Sequence, residues 1–137
     1  SKALGQVSST VETTIQQKKD LISARYININ VRSNGVIFVK NGEAISVGTG
    51  EQDRVGAIEQ AIAKFKTKYE GQEEMAGSVM ASDGFFPFPD GVETAAAEGV
   101  KAIISPAGSI KDAEVIQRAN ELGVALFHAP ERIFSHH

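Results

Sequence analysis

Hydrophobic and polar positions change rhythm several times along this chain, and each change marks an element. Val11, Ile15, Leu21 and Ile22 recur at roughly helical spacing up to about Arg25, behind Ser9 or Thr10 as a cap and Glu12 in the first turn. From Tyr26 the rhythm shortens. Tyr26, Ile27, Ile29 and Val31 alternate with Asn28, Asn30 and Arg32, which suits an extended segment as well as a helix end. Val36-Ile37-Phe38-Val39 is β-branched and aromatic, Lys40-Asn41-Gly42-Glu43 carries the Asn-Gly turn signature, and Ala44 to Gly48 returns. That pattern predicts a β-hairpin. Asp53 is then placed to cap a helix with the stripe Val55, Ile58, Ala61, Ile62 and Phe65, ended by Gly71.

The remainder alternates between short strands and helices. Ser78 to Ser82 reads as a strand and 90–98 as an Ala-rich helix stopped by Gly99. Val100 to Ser105 reads as a buried strand, 111–122 as a helix stopped by Gly123, and Val124 to Phe127 as the last strand. The order β-β-α-β-α-β-α-β with short connections predicts an α/β layer fold around a largely parallel sheet. In such sheets ligands collect beyond the carboxyl ends of the strands. Three segments occupy that position: residues 82–91, residues 105–109 and the tail from His128.

Composition narrows the possibilities. A chain of 137 residues is one domain's worth and can bury a core without metal or disulfide staples. Fourteen Lys and Arg against 17 Asp and Glu, net −3, leave no broad basic surface for nucleic acid. No cysteine is present, which removes disulfides, zinc–cysteine sites and thiol nucleophiles together. Apolar runs are far shorter than the roughly 20 residues a membrane span needs, and no secretory leader pattern is seen. A soluble cytoplasmic protein is the expectation.

Among candidate functional residues, the loop Ser82-Asp83-Gly84-Phe85-Phe86-Pro87-Phe88-Pro89-Asp90-Gly91 is the least ordinary stretch. Three phenylalanines in one loop are either a plug beneath the sheet, with Asp90 capping the next helix, or a ligand platform stiffened by Pro87 and Pro89. Ser105-Pro106-Ala107-Gly108-Ser109 offers either a helix cap or backbone N–H groups for an anion. His128 reads as a structural histidine, and His136-His137 as a tail without further metal ligands at workable spacing. Arg132, two residues before Phe134, suits a phosphate or carboxylate, or a surface salt bridge.

Taken together, Ser33-Asn34, Gly48-Thr49-Gly50-Glu51-Gln52-Asp53-Arg54-Val55, the 82–91 loop, Pro106-Ala107-Gly108-Ser109 and Arg132-Ile133-Phe134-Ser135-His136 occur in an order that resembles a known family. It is similar to the C-terminal half of the AICAR transformylase domain of the bifunctional AICAR transformylase/IMP cyclohydrolase of purine biosynthesis. The likeness runs from about residue 20 to the end and leaves residues 1–19 as an N-terminal extension. It implies a three-layer αβα, cytidine-deaminase-like fold with a mixed five-stranded sheet, strand order 2-1-3-4-5, without the zinc of deaminases.

The resemblance also implies formyl transfer from 10-formyltetrahydrofolate to 5-aminoimidazole-4-carboxamide ribonucleotide (AICAR), in a site built across a dimer interface and needing no metal. By that likeness Asn34 orients the formyl group or the carboxamide, and Phe85 and Pro87 wall the reaction centre. Asp90 accepts from the folate pterin, Arg54 and Val55 line the nucleotide pocket, Arg132 and Phe134 hold the nucleotide, and His136 lies near the reacting groups. The family's Lys-His proton-transfer pair belongs to the other half, and no Lys-His dipeptide occurs in this chain. A formyltransferase completed by a second copy or a complementary half is therefore expected, with a non-catalytic nucleotide- or folate-binding or regulatory relative as the alternative. No nucleic-acid or membrane partner is expected.

Overall fold

The β-branched run at 36–39 forms β1 (Val36–Lys40), which turns at Asn41-Gly42 into β2 (Glu43–Gly48). The turn needs that dipeptide, because Asn41 and Gly42 take the left-handed φ values of 51° and 83°. The protein is described by a computed structural model covering residues 13–29, 35–48, 54–72, 74–84, 86 and 88–129, without the side chains of 25–29, 54 and 129. Three more strands, β3 (Val79–Ser82), β4 (Ala102–Pro106) and β5 (Ala125–Ala129), complete a sheet of order β2-β1-β3-β4-β5. The expected strand order holds. The mixed five-stranded sheet implied by the resemblance holds too, while the largely parallel sheet read from the hydrophobic pattern is corrected: β1 runs antiparallel to both β2 and β3, and only β3–β4 and β4–β5 are parallel. A tight hairpin can join only antiparallel neighbours, and the hairpin inserts β1 between β2 and β3.

Helix α1 (Ile15–Ile29) covers one face of the sheet, where Leu21 and Ala24 pack with Ile37, Val39, Val79, Ala81, Ile104 and Phe127. Helices α2 (Arg54–Tyr69), α3 (Asp90–Ala97) and α4 (Asp112–Leu122) cover the other, against Val36, Phe38, Met80, Ile103 and Leu126. The fold is thus one three-layer αβα domain. Successive strand residues alternate between the two layers, so β1, β3 and β4 are apolar on both sides. That explains why they read as continuous hydrophobic runs.

Helix ends follow local chemistry. Gly71 and Gly123, at φ 83° and 73°, terminate α2 and α4 as expected. At α1 the expectation differs from what is found. Thr14 begins the helix in a capping box: its Oγ1 accepts from Gln17 N–H at 3.0 Å, and Gln17 Oε1 accepts from Thr14 N–H at 3.1 Å. The proposed caps Ser9 and Thr10, and Val11, lie outside the described residues. Residues 26–29, read as extended or a helix end, are helical. The helix also runs through residue 20, where the sequence reading divides an extension from the domain.

The buried face of α1 is also not the one its isoleucines suggest. Ile15 is 75% exposed and Ile22 37%, whereas Asp20 is 2% exposed beside Leu21 and Ala24. Asp20 tolerates burial because its carboxylate is bonded on both oxygens. Oδ2 accepts from Asn41 N–H at 2.9 Å, and Oδ1 from Gly42 N–H and Gln16 Nε2, both at 2.8 Å. One carboxylate therefore clasps the hairpin tip to α1. Asp20→Ala leaves two turn N–H groups without their acceptor and is expected to cost about 1.5–3 kcal/mol. Urea denaturation should show a lower midpoint at unchanged m-value.

Candidate functional site

Because β1 runs against β3, its first residue lies at the edge where the parallel strands end. Val36 pairs with Gly48 on one side and Ser82 on the other, and Asp83 N–H extends the pairing to the Gly35 carbonyl at 3.1 Å. Ser105 and His128 pair at the ends of β4 and β5. Gly48 brings α2 to the same edge: a Cβ there would collide with the Ala57 carbonyl, so β2 and α2 approach as closely as backbones allow.

Of the nominated residues, Val55 lies half-buried in the first turn of α2, directly after Arg54, the helix's first residue. Asp90 is the first residue of α3 and is exposed. Its expected capping role is corrected, since Pro89 occupies the cap at φ −68° and no side chain caps the helix. Proline suits such a position because it has no N–H to satisfy. The Asp90 carboxylate instead stands beside the positive end of α3, where negative charge is stabilised. Asn34, Phe85, Pro87, Arg132, Phe134 and His136 lie outside the described residues.

Of the two roles left open for the 82–91 loop, Phe86 takes that of the plug. Phe86 is 2% exposed and packed in the core, in a space only Gly91 leaves, since a Cβ on Gly91 would stand 2.8 Å from the ring. Phe88, by contrast, is 55% exposed. Ser82 ties the loop's start, its hydroxyl donating to the Gly84 carbonyl at 2.8 Å. The 105–109 segment does not cap α4 through a side chain, since Lys111 is the cap residue and makes no such bond; its hydrogen bonds lie before the helix. Gly108 N–H donates to Asp112 Oδ2 at 2.9 Å, and Lys111 N–H to Ser109 Oγ at 3.0 Å. A carboxylate of the chain itself thus occupies the place an anion would take.

A feature missed in the sequence is a polar row at this edge. Below it, Met80, Ile103 and Leu126 form an apolar row facing α2–α4. Two residues on, Ser82, Ser105 and His128 take the same face at the strand ends. The signal was present as one polar residue closing each apolar run. The Ser105 hydroxyl is buried and has no hydrogen-bond partner among the described residues. His128 is half-buried, and burial pushes its pKa below 6.5 while Asp112 pulls the other way.

A cavity of about 280 Å³ lies elsewhere, lined by Phe65, Tyr69, Met75 and Glu98 around the last turn of α2. It belongs to the opposite edge of the sheet and contains none of the nominated residues. Among the described residues no three side chains are grouped to hold a metal ion, and no helix is long and apolar enough to cross a membrane.

Residues 1–64 match the family model of the AICARFT/IMPCHase bienzyme. The bifunctional purine biosynthesis protein PurH of Acidithiobacillus ferrooxidans is 42% identical over 123 residues, covering 90% of this chain and 23% of that protein. PurH of Persephonella marina is 43% identical over 125 residues, covering 91% and 24%. PurH of Xanthomonas euvesicatoria is 41% identical over 138 aligned positions, covering 99% and 26%. The chain spans about a quarter of the length of these curated relatives. In fold it is similar to the dCMP deaminase of cyanophage S-TIM5, with TM-score 0.52 and 22% identity for the apo form, covering 83% of this chain and 98% of that one. The form in complex with dCMP and dUMP gives 0.53 and 20%, covering 84% and 98%. The architecture is therefore cytidine-deaminase-like.

The depressed pKa of His128 has a sign that can be tested. As pH falls, the unfolded chain takes up this proton before the folded one. The histidine's contribution is therefore complete above pH 6.5, declines as pH drops below that value, and levels off beneath the folded pKa. Urea denaturation across this range should show a shallower acid decline for His128→Gln than for the wild type.

Proposed function

We propose that this chain is the C-terminal half of an AICAR transformylase domain, acting in the cytoplasm in de novo purine (IMP) biosynthesis. The reading rests above all on identity above 40% to PurH proteins across nine-tenths or more of the chain. The deaminase-like fold supports it by bringing Gly35, the start of α2 and the start of α3 to one sheet edge. These are the described neighbours of Asn34, Arg54 and the 85–90 segment.

The chemistry sets demands that residue types can meet. The 5-amino group of AICAR is a poor nucleophile, because its lone pair is delocalised into the imidazole. Its nitrogen must bond to the formyl carbon of 10-formyltetrahydrofolate while the carbonyl oxygen takes up negative charge. The bond from that carbon to N10 then breaks, the amine gives up a proton and N10 gains one. In this proposal Asn34 orients the formyl or carboxamide group, and Phe85 and Pro87 exclude water around it. Asp90, exposed and without a capping duty, accepts from the pterin N–H groups. Arg54 and Val55 line the nucleotide pocket, Arg132 pairs with the phosphate, Phe134 packs on the nucleotide, and His136 stands near the transferred proton.

A second reading, binding without catalysis, is favoured by one observation. The 137 residues contain no Lys-His dipeptide, so the base attributed to the other half of the domain lies outside them. A complementary half supplies that base, since a second copy of these residues lacks the dipeptide as well.

Two outcomes test the proposal. Asp90→Ala should weaken binding of a folate analogue by about 1.5–3 kcal/mol, as loss of a charged hydrogen bond does, and leave AICAR affinity unchanged in calorimetric titration. Unaltered folate affinity in a folded variant rejects the role. The purified chain should bind AICAR and folate with little or no turnover, since acid–base assistance is worth about 10²–10⁴-fold. Adding a protein that supplies the Lys-His half should restore formyl transfer. Substantial transfer by the chain alone, abolished by His136→Ala, would show a complete site in this half.

A further inference from the structure

The turn that closes the hairpin carries a chemistry unrelated to the strand ends. Asparagine followed by glycine is where a polypeptide most readily attacks itself. The glycine backbone nitrogen loses its proton and bonds to the asparagine Cγ, and the side-chain nitrogen leaves as ammonia, closing a succinimide. Water then opens either carbonyl of the ring, giving aspartate or isoaspartate. Water is the only reactant consumed, and nothing is oxidised or reduced. Asn41 and Gly42 are exposed, with no neighbouring side chain after Asn41 to hinder ring closure.

The structure nevertheless opposes the first step. The attacking nitrogen is Gly42 N, and its proton is donated to Asp20 Oδ1 at 2.8 Å. Removing that proton would set a negative nitrogen 2.8 Å from a negative carboxylate, and like charges at that distance disfavour the step. Asn41 N–H is held by the other oxygen of the same group at 2.9 Å, so the nitrogen cannot swing toward Cγ without releasing the clasp. Gln16 fixes the carboxylate from within α1.

We propose that Asn41 is a latent deamidation site and that the buried carboxylate of Asp20 keeps it inert while the hairpin tip stays docked on α1. Reaction follows local opening of the tip, a sub-global event of the kind that exposes single turns. The product does not redock as before. Either acid adds a negative charge beside Asp20, and isoaspartate also lengthens the backbone of a two-residue turn whose flanks, Lys40 and Glu43, are paired. Deamidation here is therefore an irreversible record of α1 lifting from the hairpin.

Peptide mapping by mass spectrometry follows the conversion of Asn41 during incubation at mildly alkaline pH. The native protein, the same protein in denaturing urea, and folded Asp20→Ala and Asp20→Asn variants are compared. The native rate should lie about ten- to a hundredfold below the denatured rate, the range expected for releasing a charge-assisted hydrogen bond. Asp20→Ala should approach the denatured rate, with Asp20→Asn between. Hydrogen exchange of the Gly42 amide in the unsubstituted protein reads the clasp even if Asp20→Ala fails to fold, and slow exchange is expected. A rapidly exchanging Gly42 amide, native conversion as fast as in urea, or a folded Asp20→Ala protein no faster than the wild type each overturns the proposal.

Discussion

The antiparallel pairing of β1 with β3 is the constraint on which the rest of this molecule depends. Parallel strands β3, β4 and β5 carry their carboxyl ends to one edge by topology alone. β1 would bring its own beginning to the opposite edge if it ran with them. Running against β3, it sets Gly35 and Val36 beside Ser82, so the segment before the hairpin joins the loops after the other strands. The hairpin then returns the chain through Gly48 to that same edge, where the contact with Ala57 draws in the start of α2. Positions far apart in sequence share one edge because a single strand is reversed.

That arrangement must be held from its far end. The hairpin tip points away from the candidate site, and Asp20 fixes it there through two backbone N–H groups. A buried carboxylate is costly unless every acceptor site near it is used, and here helix and turn supply the donors. Among the described residues the layer beneath α1 is an apolar cluster, and the Asp20 bonds supply register where packing of Leu21 and Ala24 supplies only adhesion. Shape alone would tolerate small shifts of the helix along the sheet. Two short hydrogen bonds to consecutive amides do not.

At the candidate edge the chain mixes structural and accessible groups. Phe86 completes the core while Phe88, two residues later, faces outward. The Gly108 and Lys111 N–H groups before α4 are satisfied by Asp112 and Ser109. The first residue of α3 keeps its carboxylate exposed.

Much of this was legible in the residues. The Asn-Gly turn, the apolar runs and the glycines after α2 and α4 act within a few positions of themselves, so strands, helices and their order follow from local pattern. The antiparallel pairing of β1 with β3, the buried side of α1 and the cap of α3 did not follow from that pattern. Ile15 and Ile22 look like a core stripe and Asp20 like a solvated charge until the hairpin amides, 21 and 22 residues away, are brought to the carboxylate. Asp90 looks like a cap until Pro89 takes that place. Sequence periodicity determines which segments bury an apolar face. Only the tertiary structure decides which polar atoms find partners, because those partners arrive from elsewhere in the chain.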